Sequence, residues 1–96
     1  MIVTSGPKGS RFFTPDFEGS AKPFKVTAVD ATGAGDGFTA GFLSRLLKDP
    51  ELLKSAKKVE AACRFANAVG AMTATKRGAI AALPTEAEVA QFLSVN

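Results

Sequence analysis

The residues best suited to chemistry in this 96-residue chain form one short run, Thr32-Gly33-Ala34-Gly35-Asp36-Gly37. Glycines let a backbone approach a ligand closely and turn its amide N–H groups toward one point. Beyond the run, Phe38, Phe42, Leu43, Leu46 and Leu47 recur at helical spacing as far as Asp49-Pro50, so the glycines form a loop that opens a helix. A helix N-terminus presents unpaired N–H donors and about half a positive charge, which stabilise a phosphate without any lysine. The expected site is an anion hole made by the amides of Gly33, Ala34, Gly35 and Asp36. A carboxylate beside such a hole would repel phosphate unless it had a separate task, and receiving a proton is the task that fits Asp36. A carboxylate is a weak base, yet phosphoryl transfer through a loose transition state asks mainly for alignment of the attacking hydroxyl. The same residues have a plainer reading, because glycine-rich turns are common and an Asp near a helix start serves as a cap and dipole partner. On these residues alone both readings stand. The Gly-Lys-Ser/Thr of a Walker A loop and the Gly-x-Gly-x-x-Gly of a dinucleotide fingerprint are both absent from the run.

The elements that must position this loop follow from pattern. Ile2–Thr4 and Arg11–Thr14 are short β-branched or aromatic runs, and the Gly and Pro of Ser5–Gly9 between them demand a turn, which predicts a hairpin. Residues 15–23 lack periodicity and read as a loop, and Phe24–Val29 alternates well enough for a third strand ending at Asp30. Val59, Ala62, Cys63, Ala66, Val69, Gly70 and Thr73 share one side of a second helix of about five turns, whose small residues permit close packing. It is expected to stop near Lys76-Arg77-Gly78, with Gly78 as a left-handed cap. Thr85-Glu86-Ala87-Glu88 has the spacing of a capping box and predicts a last short helix burying Val89, Phe92 and Leu93. The expected class is therefore α/β, with about three strands followed by three helices in layers, and so small a sheet leaves edges and one face to be covered.

Composition narrows the function classes. A hydrophobic fraction of 46% and a charged fraction of 22% are those of an ordinary globular protein. The net charge of +3 is spread along the chain, and without Tyr or Trp there is little for base stacking, so a nucleic-acid partner is not expected. No run reaches the length of a membrane span, and no membrane partner is expected. With no histidine and one cysteine, a zinc site of nitrogen and sulfur ligands is excluded, and any metal must be held by oxygen. Cys63 lies in an apolar run and is expected to behave as a small buried hydrophobe. Met1 leads straight into a strand-like run, which suggests an N-terminal portion missing from these residues.

Asp30-Ala31-Thr32-Gly33-Ala34-Gly35-Asp36 resembles the C-terminal signature of the ribokinase/PfkB carbohydrate kinases, usually Asp-Thr-Thr-Gly-Ala-Gly-Asp. Its flanks agree: Val3–Gly9 is similar to the family's earlier nucleotide loop, and Phe65-Ala66-Asn67-Ala68 with Thr75–Ala79 is similar to its later segment. Stretches like Gly-Pro-Lys-Gly, Arg-Phe-Ala-Asn-Ala and Gly-Ala-Ile-x-Ala-Leu-Pro-Thr occur in the same order in plant-type fructokinases, which the chain resembles most. Ala31 and Ser5 depart from the family's usual Thr and Leu. The resemblance implies the C-terminal, nucleotide-binding part of a ribokinase-like sheet-and-helix fold over residues 1–96. It further implies transfer of phosphate from ATP, with magnesium, to a sugar's primary hydroxyl, here fructose to fructose 6-phosphate.

By the same resemblance Asp36 is the catalytic base, and Ala34, Gly35 and Asp36 supply anion-hole amides. Thr4, Gly6, Gly9 and Gly35 would line the nucleotide site, with Asn67 approaching adenine or ribose. A monovalent cation such as potassium would sit at Asp30, Thr32, Thr73, Lys76, Gly78 and Ala82, mostly on backbone carbonyls. The sugar-contacting residues, the lid and a magnesium-associated acidic motif would lie in the N-terminal part. The family context is cytoplasmic, with a plastid location left open and room for a homo-oligomer in the full-length enzyme. The alternative is a noncatalytic nucleotide-binding or interaction fragment of such a kinase.

Overall fold

The computed structural model describes residues 2–6, 9–24, 31–74 and 84–95. Strands β1 (Ile2–Gly6), β2 (Gly9–Phe13) and β3 (Glu18–Ala21) form an antiparallel sheet in the order β1-β2-β3. The hairpin is tighter than expected, with Gly6 paired to Gly9 and Ile2 to Phe13. Period-two alternation turns Ser10 and Phe12 inward and Arg11 outward. β3 was not expected: it falls at Glu18–Ala21, inside the stretch read as a loop, while of the strand expected at Phe24–Val29 only Phe24, which is not in a strand, lies among the described residues. Glu-Gly-Ser-Ala has no strand propensity of its own, and its pairing to β2 from Ser10↔Ala21 to Phe13↔Glu18 makes it a strand. Thr14 organises the turn before it: its Oγ1 accepts from the Phe17 N–H at 2.9 Å and the Asp16 N–H at 3.2 Å.

Helices α1 (Ala31–Lys48), α2 (Ala56–Ala74) and α3 (Glu86–Val95) complete the described chain, with a short 3-10 turn at Pro50–Lys54 between the first two. Asp49 caps that turn by accepting from the Glu51 N–H at 3.1 Å, and Leu52 plugs it into the core. The capping box expected for α3 is present. The Thr85 N–H donates to Glu88 Oε1 at 2.9 Å, and the Glu88 N–H donates to Thr85 Oγ1 at 3.2 Å.

α2 is the central element. Toward α1 and the sheet it buries Val59, Ala62, Cys63 and Ala66 with Phe12, Phe38, Phe42 and Leu52. Toward α3 it buries Phe65, Ala68 and Val69 with Val89, and Phe24 meets Phe92 edge-on at 5.1 Å. The α1–α2 contact is unusually close because glycines face it. A Cβ on Gly41 would lie 2.9 Å from Val69 Cγ2 and 3.1 Å from Ala66 Cα, and one on Gly37 would lie 2.7 Å from Thr73 Oγ1. Removing the side chains lets the helix axes approach, and the cost in helix propensity is offset by burial along the contact. The opposite side of α1 leaves Leu43 and Leu47 exposed. Among the described residues no helix is long and apolar enough to cross a membrane.

Candidate active site

The glycine run is not a loop before a helix but the opening of the helix itself. Because α1 begins at Ala31, residues 31–34 make its first turn and Gly35 and Asp36 follow in the second. The first four N–H groups of a helix have no intrahelical partner, so the donors that need a partner outside the helix centre on the turn containing Gly33 and Ala34. That turn carries no acidic residue of its own, and Asp30 before it lies outside the described residues. Asp36 is exposed one residue past Gly35. At Gly35 nothing lies within 4 Å of where a Cβ would stand, which leaves room for a ligand beside the helix end. A phosphate therefore fits the donor set, and a carboxylate stands next to it.

The remaining nucleotide-site candidates fall on the neighbouring hairpin and on α2. Thr4 and Gly6 lie on β1, which touches α1, and Gly9 opens β2. Gly9 has φ 101°, in the left-handed region that favours glycine. Asn67 is half-buried on α2, and its Nδ2 donates to the carbonyls of Ala21 at 3.3 Å and Lys22 at 3.0 Å. Those two carbonyls, at the end of a strand that the pattern did not suggest, had no signal in the sequence.

Of the cation candidates, Thr32 is in the first turn of α1 and Thr73 is fully buried on α2 against Gly37. The Thr73 hydroxyl donates to the Val69 carbonyl at 2.6 Å. Asp30, Lys76, Gly78 and Ala82 lie outside the described residues, as does the end expected for α2. Among the described residues no three acidic, histidine or cysteine side chains are grouped to hold a metal ion. Magnesium commonly rests on one or two carboxylates plus substrate phosphates, so it would depend chiefly on the phosphates and on residues outside this set.

The other end of α1 carries charge but no catalytic arrangement. A cleft of about 440 Å³ is lined by Arg45, Lys48, Lys58 and Arg64 beside Phe65 and Leu93. Its cations are engaged: Arg45 and Lys48 pair with Glu86, Lys58 pairs with Asp49 at 3.2 Å, and Arg64 lies over the Phe24 ring. The hydrogen bond from Lys48 holds the exposed Glu86 carboxyl below its ordinary pKa. Burial pushes the Cys63 thiol up, and the adjacent Ser10 hydroxyl pulls the other way although its Oγ meets no partner at hydrogen-bond geometry.

Comparison with known proteins places this geometry in a family. Fructokinase-1 of Zea mays is 50% identical over 93 residues, which is 97% of this chain and 29% of the relative. Among solved structures, fructokinase with bound ATP from Xylella fastidiosa superposes with a TM-score of 0.87 at 26% identity, over 97% of this chain and 31% of that one. Fructokinase from Vibrio cholerae O395, bound to fructose, ADP and a calcium ion, gives a TM-score of 0.84 at 35% identity, over 95% of this chain and 30% of that one. The chain thus spans under a third of the length of these relatives. The family model described as pfkB family carbohydrate kinase matches residues 1–86, and with that match the chain belongs to the pfkB family of carbohydrate kinases.

Proposed function

We propose that residues 1–96 are the C-terminal, nucleotide-binding part of an ATP-dependent sugar kinase that phosphorylates a primary hydroxyl, with fructose as substrate and fructose 6-phosphate as product. The observation that carries the reading is the opening of α1: a first turn without acid, open space at Gly35, and the exposed Asp36 carboxylate beside them. Fructose and ATP or ADP are bound by the fructokinases it superposes on, which supports the substrate class.

In this reading Asp36 orients the sugar hydroxyl and receives its proton as the oxygen bonds to the γ-phosphorus and the bond to ADP breaks. N–H donors of the α1 opening, Gly33 and Ala34 foremost, hold the charge on the transferring group in place. Thr4, Gly6, Gly9 and Gly35 border the nucleotide, with Asn67 at its edge. Magnesium, when bound, would neutralise charge on the phosphates, and a monovalent cation near Thr32 and Thr73 would support the same helix end. A second reading, a noncatalytic nucleotide-binding or interaction fragment, is favoured by the open face of α1, where Leu43 is 51% and Leu47 82% exposed.

The test is a chimera in which residues 1–96 replace the matching share of the maize relative, assayed for ADP formation with fructose, glucose and ribose. Fructose-dependent turnover that Asp36→Ala abolishes, with ATP affinity held within a small factor, is the expected result. Turnover unchanged by Asp36→Ala would refute the role of that residue. A chimera that binds ATP but never turns over would favour the second reading.

A further inference from the structure

Asn67 and Gly9 converge on one stretch of backbone from two different elements. From α2, the Asn67 side-chain amide donates to both the Ala21 and Lys22 carbonyls. From the start of β2, the Gly9 backbone presses on the same residues, since a Cβ there would lie 2.2 Å from the Ala21 oxygen, 3.1 Å from the Lys22 carbonyl carbon and 2.9 Å from the Pro23 nitrogen. The orientation of the amide is settled by chemistry, because both partners are carbonyl oxygens and only the NH₂ group can face them. Its two donors are matched by two acceptors, which leaves only Oδ1 for anything else.

We propose that Asn67 is a positioning residue for the nucleotide loop. With Gly9 it clamps the Ala21–Pro23 backbone, so that the Gly6–Gly9 end of the hairpin is held at a set distance from α2. The proposal rests on the nucleotide-binding reading above and gives Asn67 a specific task within it. A residue acting this way changes how well the loop is formed and does not read the base. A residue reading adenine through Oδ1 would accept from the exocyclic amine, which guanine replaces at that position with an acceptor.

The experiment introduces Asn67→Ala and Asn67→Asp into the chimera described above, measuring ATP and GTP binding by calorimetry well below the melting temperature, and hydrogen exchange of peptides covering residues 9–23. Asn67→Asp keeps an acceptor but turns a carboxylate toward two carbonyl oxygens, so a clamp makes it at least as damaging as Asn67→Ala. The expected result is that both variants weaken ATP and GTP by the same factor, about five- to tenfold, and that exchange over 9–23 accelerates. A changed ATP-to-GTP preference, wild-type binding by Asn67→Asp, or unchanged exchange would overturn the proposal. If the unsubstituted chimera binds neither nucleotide, the nucleotide-binding reading fails, and the clamp is judged on exchange alone: acceleration in Asn67→Ala supports it and no change overturns it.

Discussion

The first turns of α1 and α3 meet the same problem with different residues. Each helix starts with donors that have no partner within it. At α3 the chain supplies its own acceptors: Thr85 and Glu88 close a reciprocal pair, and Glu86 and Glu88 bring negative charge to the first turn. At α1 the first turn contains no acid, and two glycines lie within its first five residues. A helix end meant only to be stable is written like α3. The first turn of α1 brings no acid of its own to those donors, while Asp30 before it lies outside the described residues, and in the function proposed above they receive a phosphate in transfer beside Asp36.

The sharpest way to test this contrast is Asp36→Ala in the chimera. It is expected to lower turnover by at least about a thousandfold with little change in ATP affinity, read from steady-state kinetics and nucleotide titration. Next in size is Ala34→Glu, which writes α1 like α3. It should weaken ATP binding about tenfold while raising stability by about 0.5 kcal/mol through the helix dipole. The opposite signs are the point of that measurement, since a merely disruptive substitution would lower both.

The converse change is Thr85→Ala, which opens the α3 cap and is expected to cost about 1 kcal/mol in chemical denaturation without altering nucleotide binding. The smallest effect belongs to Glu86, whose lowered pKa comes from its hydrogen bond to Lys48, with burial opposing it and the charges of Lys48 and Arg45 assisting. A carboxyl depressed in the folded state adds stability above its unfolded pKa and loses it as pH falls through the folded value. Denaturation curves of Glu86→Gln should therefore merge with those of the parent at acid pH. At neutral pH they should differ slightly, and less so in high salt.

How far the sequence foretold the structure depended on whether a segment's own residues decide its state. The α3 cap was legible because Thr85 and Glu88 act on each other three residues apart. α2 was legible from its small and apolar stripe, and Cys63 is buried among those residues as expected. β3 was missed because its four residues take strand form only through β2, a partner that local composition does not reveal. The start of α1 was set too late for a related reason. Glycines argue for a loop, and the force that keeps Gly37 and Gly41 helical lies across the interface in Ala66, Val69 and Thr73. In the site, Asp36 and the glycines were legible as a group, whereas the Asn67 tie to Ala21 and Lys22 joins positions about 45 residues apart and left no mark in either segment.

Cys63 is fully buried where α2 meets the sheet, beside Ser10, and its thiol is harder to ionise than in water. Reactivity of a cysteine needs both access and the thiolate, and the closed layers withhold both. The sole cysteine of the chain is thus a built-in witness to the separation of helix and sheet, silent while they stay together and open to a thiol reagent only when they part.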